Sequence, residues 1–212
     1  YKLLTEKGYK YINHDIFNTA NFGLPQTRNR VYIVALRDKP KDFVFSFKSV
    51  KTYYDKLKSK SVSEYKDVLD ILGSKVDKKY YLSEKIKPTI LAHGGGNFIS
   101  KSEINQIIAR PLVATMGKMH RACQDNYYSD TFIKTKGKRN DAGEPINSLI
   151  RKRIRKLTPH EAFLLQGFPI EFVEAAYKNG ISNAQLYKQA GNAVSVNVAY
   201  AIIRYLIKFY KM

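Results

Sequence analysis

At 212 residues with 44% apolar content, the chain is long enough to bury one or two compact cores. Lys and Arg number 37 against 18 Asp and Glu, so the formal charge is +19 with a pI near 9.8, a field that attracts phosphates and makes nucleic acid the expected partner. The single cysteine excludes an internal disulfide and suits a reducing cytoplasm, and Arg204 and Lys208 break the closing apolar stretch, which excludes a membrane span there.

Residues 2–8 read as the end of a helix, with Lys7 in the last turn and Gly8 as its C-cap. After a loop comes PQTRNR at 25–30, where period-two geometry puts Gln26, Arg28 and Arg30 on one side of an extended chain. Such a row suits an anion or the acceptor edge of a base; the plainer reading is two solvated arginines at the lip of a strand. The apolar run 31–36 fits a central strand buried on both faces, ended by a turn at 37–42. Residues 48–60 read as a basic linker, 63–73 as a short helix capped by Ser61 or Ser63, and 82–84 as the start of another helical turn.

From 83 to 151 turns are frequent; the glycine run 94–96 suits a recognition loop, and 110–117 alternates like a strand. The stretch KMHRACQDNYYSD at 118–130 mixes cations, amides and tyrosines, and Lys118, Arg121, Gln124 and Asn126 are suited to DNA contact. The alternative is a polar hairpin with its tyrosines packed underneath. Two basic runs follow at 134–139, with Lys136 and Arg139, and at 151–156, with Arg151 and Arg153; each is a solvated face or a clamp on phosphates. A turn at 141–145 separates them. A helix from Pro159 to Gln166 has Thr158 as N-cap, Glu161 closing a capping box and Gly167 as its stop, so Thr158 and Glu161 read as scaffold. Gly191 and Asn192 read as the start of a last helix with Asn192 as cap and an apolar stripe at 194, 198, 201, 202 and 206.

Three of these segments, PQTRNR, RKLTPHEAFLLQGFP at 155–169 and QAGNAV at 189–194, come in the order of the last three blocks of the DNA (cytosine-5)-methyltransferase family, which the chain resembles. The resemblance implies an α/β fold: the end of a Rossmann-like methyltransferase sheet at 1–45, a smaller, irregular, β-rich target-recognition domain at 46–170, and a helical return to the catalytic domain at 171–212. It departs from the family pattern at Leu164, where Arg is usual, and at Pro111 and Leu112, where a Thr-Leu pair is common.

By the same resemblance Arg28 meets a flipped cytosine, Gln26 and Arg30 shape the site or touch the DNA backbone, and Asn192 with Ala193 borders S-adenosylmethionine. The family's Pro-Cys-Gln nucleophile and cofactor glycines lie ahead of PQTRNR and are not found in this chain. Cys123 follows Ala122 instead of Pro and lies on the wrong side of Arg28, so it is read as a structural or exposed thiol. The expected partners are therefore duplex DNA and an N-terminal methyltransferase portion or subunit, with a cytoplasmic place in restriction-modification and no methyl transfer by this chain alone. Two other readings stand beside it: a catalytically inactive, sequence-specific DNA-binding fragment or subunit, and a basic single-strand binder, against which the ordered three-block match argues.

Overall fold

The computed structural model describes residues 1–92, 94–95, 98–99, 103–138 and 146–210; Arg139 and the turn expected at 141–145 lie outside the described residues. A short helix α1 (Lys2–Glu6) ends at Gly8, whose φ of +85° is the left-handed conformation expected of it. Strands β1 (Tyr11–Asn18) and β2 (Asn29–Leu36) then form an antiparallel pair, with Tyr11 opposite Leu36 and Asn18 opposite Asn29. The expectation that 31–36 is buried on both faces is corrected. Phe17, Tyr32 and Val34 face a core, but Ile16, Val31 and Ile33 on the other face are 56%, 57% and 60% exposed. The core packs on one face of this two-stranded sheet, and among the described residues the other face of the apolar run is left uncovered.

The helix α2 (Phe47–Asp55) replaces the expected linker. Ser46 caps it by accepting from Ser49 N, and Phe47, Val50 and Tyr54 turn inward on one face. Lysines at 48, 51 and 56 hide that stripe in the sequence. The 63–73 segment is likewise not a helix but a single 3-10 turn at Val68–Asp70, capped by Asp67. Its beginning is held by other partners: Tyr65 N donates to Gly23 O and Asn197 Nδ2 donates to Ser63 O, so no Ser-capped helix starts there.

Helix α3 (Lys87–Leu91) follows the turn at 83–86, and β3 (Gly94–Gly95) pairs antiparallel with β4 (Phe98–Ile99). The strand expected at 110–117 is absent, because side chains take its backbone groups. Asn126 bonds both the N–H and the C=O of Arg110, and Gln26 and Arg28 take the N–H and C=O of Leu112. Beyond it β5 (Tyr127–Ser129) leads into α4 (Asp130–Lys134), and after α5 (Ile146–Leu149) β6 (Ile154–Lys156) pairs antiparallel with β5.

Four helices close the chain: α6 (Pro159–Leu164), α7 (Ile170–Lys178), α8 (Asn183–Asn192) and α9 (Val196–Phe209). Gly191 and Asn192 thus end α8, and Ser195 stands at the N-cap position of α9, correcting the expected helix start. Val198, Ala201, Ile202 and Tyr205 pack with the hairpin and α2 in one apolar cluster, whereas Val194 is exposed. A second cluster joins Val68 and Leu112 with Phe163, Leu186 and Tyr187, and a third lies around Leu91, Tyr127 and Ile154. Residues 47–57, read with the recognition region, therefore share a cluster with the hairpin and α9, while α7 and α8 share one with Val68, Leu112 and Phe163. Among the described residues no single helix is long and apolar enough to cross a membrane.

Candidate functional site

The PQTRNR segment divides by burial. Gln26 is wholly buried; its Oε1 accepts from Leu112 N at 3.2 Å and its Nε2 donates to Leu165 O at 2.9 Å. Arg28 is only 2% exposed, and its two terminal nitrogens donate to Leu112 O at 2.8 Å, Gly191 O at 2.8 Å and Ala193 O at 3.2 Å. Burial first and the neighbouring Arg30 second hold its pKa down to about 10, still well above neutrality. Its guanidinium, read from the sequence as meeting a flipped base, is turned inward onto three backbone carbonyls. Arg30 lies on the same hairpin face, opposite Phe17, but at the rim, exposed and donating to its neighbour's carbonyl, Asn29 O, at 3.0 Å. Period-two geometry therefore put the three on one side, and the edge of the core separates their roles.

Two further motif segments lock against this one. Gly191 has no room for a Cβ, which would stand 2.4 Å from Ala114 N and from the Val113 carbonyl carbon. In the LTPHE segment Thr158 and Glu161 form the expected capping box, and Glu161 also takes both terminal nitrogens of the buried Arg155 at 2.7 and 2.8 Å. Gly73 joins them, its N–H donating to Glu161 and its C=O accepting from Arg155. Gln166 then donates to Ala190 O, and Gly167, at φ +83°, turns the chain where a Cβ would meet Asn197 Oδ1 at 2.5 Å. The scaffold reading of Thr158 and Glu161 holds, and Arg155 leaves the basic run to join it.

The residues read as DNA contacts separate in the same way. Lys118, Gln124, Arg151 and Lys136 are exposed, the last in a surface hollow with Lys134 and Lys138. Arg121 is half-buried and donates to Gln124 Oε1 at 2.7 Å. Arg153 lies over the Tyr81 ring at 4.1 Å, with Asp130 at 3.5 Å. Asn126 is buried and bonds both backbone groups of Arg110, and Tyr127 and Tyr128 are packed beneath the surface. The thiol of Cys123 is half-buried and unpaired.

Sequence reasoning passed over one cluster. Asp125 is buried with Oδ2 accepting from Arg121 N at 2.9 Å and from Tyr127 OH at 3.3 Å. Burial raises its carboxyl, and burial together with Lys156 lowers His120. Asp125 and Lys156 share the lining of a small cavity with Leu112, Met116 and Tyr187, contributed by segments far apart in sequence, so no local pattern announces it.

Of the residues expected to border S-adenosylmethionine, Asn192 is exposed at the end of α8 with Val194 exposed beside it. An amide next to an apolar side chain suits the rim of a nucleoside, and Ala193 is held in place through its carbonyl by Arg28.

These geometries belong to a mixed α/β chain with small sheets. The family model for C-5 cytosine-specific DNA methylase matches residues 1–208, and the chain belongs to that family. It is similar to the orphan methyltransferase M.SPBetaI of Bacillus phage SPbeta, 28% identical over 266 residues that cover 96% of this chain and 60% of that protein. It is also similar to the type II methyltransferase M1.ScrFI of Lactococcus lactis subsp. cremoris, 32% identical over 205 residues that cover 97% of this chain and 45% of that protein. The fold is that of the S. pombe Dnmt2 methyltransferase, with a TM-score of 0.71 at 18% identity, over 100% of this chain and 62% of the other. The chain thus spans about 60% or less of the length of the curated relatives described here.

Proposed function

We propose that the chain is the C-terminal, DNA-recognising part of a DNA (cytosine-5)-methyltransferase of the restriction-modification kind. In this reading it works in the cytoplasm with an N-terminal portion that supplies the cysteine nucleophile and most of the cofactor site. The observation that carries it is the way all three motif segments meet: PQTRNR, RKLTPHEAFLLQGFP and QAGNAV hold one another through Gln26, Arg28 and Gln166. A basic single-strand binder has no use for that frame. S-adenosylmethionine would supply the methyl group, with Asn192 and Ala193 forming one rim of its site. Arg30 takes the place at the flipped base first read for Arg28, because it is the exposed guanidinium of the pair. A planar cation there would stabilise charge pushed onto the ring as the cysteine adds. Lys118, Arg121 and Gln124 face the base edges, and Lys136, Arg139, Arg151 and Arg153 grip phosphates, which position the duplex without reading it.

The test is a titration of the 212-residue chain with duplexes of varied sequence at several salt concentrations. Affinity should fall by about a decade or more between low and physiological salt and should favour one cytosine-containing site. Binding indifferent to both salt and sequence would overturn the proposal.

A further inference from the structure

We infer that Arg28 is a positioning residue that couples the recognition loop at 112–124 to the loop at 191–196, so that ordering one loop by DNA steadies the other. This deepens the proposed function and rests on it, since the reading of these loops as DNA-facing and cofactor-facing comes from there.

The coupling is carried by one rigid plane. Arg28 Nη1 holds Leu112 O at 2.8 Å and Nη2 holds Gly191 O at 2.8 Å and Ala193 O at 3.2 Å, so two loops some eighty residues apart in sequence share a single guanidinium. The loops also touch directly. The backbone of Gly191 lies so close to Val113 and Ala114 that a built Cβ would fall 2.4 Å from both. Displacement of Leu112 must therefore move the guanidinium, the backbone of Gly191, or both. On the far side the chain continues from Leu112 through Lys118 to Arg121 and Gln124. Beyond Ala193, Val196 N is tied to Gln166 O at 2.8 Å, which limits where the loop can relax. Immobilising one end of such a contiguous network removes ordering cost at the other. A lysine at 28 keeps the charge and reaches one carbonyl cluster, but has no second arm.

Amide hydrogen exchange on the 212-residue chain, with and without a saturating mixed-sequence duplex, tests this directly. In the wild type, DNA should slow exchange at 112–124 and also at 191–196, the latter by about fivefold or more, the lower end of ordinary coupling between sites. Arg28→Lys should keep the effect at 112–124 and lose it at 191–196. Tyr205→Phe, which removes the part-buried bond from Tyr205 to Val44 O at 2.9 Å outside this network, should keep both. Slowing confined to 112–124 in the wild type, equal transmission in Arg28→Lys, or loss of transmission in Tyr205→Phe would overturn the inference while leaving the proposed function standing. No change anywhere in the chain on adding duplex would overturn both.

Discussion

A guanidinium offers donors in a fixed plane, and Arg28 gives both of its terminal nitrogens to the backbone carbonyls of Leu112, Gly191 and Ala193. The alternation of Gln26, Arg28 and Arg30 was legible in the sequence. Which of the three meets solvent was not, because that depends on Leu112 and Gly191 arriving from far along the chain. Gly191→Ala should cost about 1–3 kcal/mol or more, since the methyl would meet backbone, which cannot rotate aside; a thermal melt equal to that of the wild type would contradict the close approach. The Arg155–Glu161 pair is legible only in half: the capping box is local, while the bidentate partner is not. Removing one partner by Arg155→Met leaves a buried carboxylate, at a cost of about 3–5 kcal/mol in denaturant unfolding, and a loss under 1 kcal/mol would mean the pair is not desolvated. His120 gives a pH dependence. Its folded pKa lies below its ordinary value of 6.5, so its contribution to stability is whole above that value and is lost as pH falls through the folded one. Asp125, raised by burial, acts in the opposite sense over more acidic conditions, so the contribution of His120 is read as a difference. The melting temperature of the wild type should fall more than that of His120→Gln between pH 7 and pH 5, both round figures about the ordinary histidine range; parallel curves would contradict the assignment.

Elements were legible where capping chemistry and apolar period agree. The helix from Pro159 has both, as does the glycine stop of α1, and each stands close to where the sequence put it. Helix α2 was missed because lysines crowd its inward stripe, and the strand at 110–117 was an overreading because alternation says nothing about side chains that capture the backbone. The apolar run of β2 was recognised as a strand, but a strand needs neighbours on both faces to be buried on both. In the proposed function the N-terminal portion would sit on the uncovered face of Ile16, Val31 and Ile33. Charging it by Val31→Lys and Ile33→Lys should leave the melt of the chain nearly unchanged and abolish association with that portion; retained association would move the seat elsewhere. Replacing Lys134, Lys136 and Lys138 by Gln should weaken binding to all duplexes alike and reduce the salt slope by about 0.9 for each phosphate no longer neutralised. An unchanged slope would leave that hollow as a solvated face.

At the scale of the molecule, one apolar cluster gathers the hairpin, α2 and α9, and another gathers Val68, Leu112 and Phe163 with α7 and α8. The class of the fold followed from three short blocks in order. The packing of α2 with the hairpin and of α7 and α8 with the recognition residues did not, because cluster membership depends on tertiary neighbours that no window of sequence contains. With Arg30 as the residue that faces the reacting base, Arg30→Ala in the joined enzyme should cut single-turnover rate by about a hundredfold to a thousandfold with its melt unchanged, whereas Arg28→Ala should lower the melt. A rate loss confined to Arg28→Ala, with stability intact, would reverse the two roles. The central claim is tested by transfer of labelled methyl from S-adenosylmethionine to duplex DNA, by this chain alone and by the chain joined to the N-terminal portion of a family methyltransferase that supplies nucleophile and cofactor loop. The expected result is no transfer by the chain alone and C5-methylcytosine from the joined protein. Transfer by the chain alone, or a well-folded joined protein that binds duplex and cofactor yet never methylates cytosine, would contradict it.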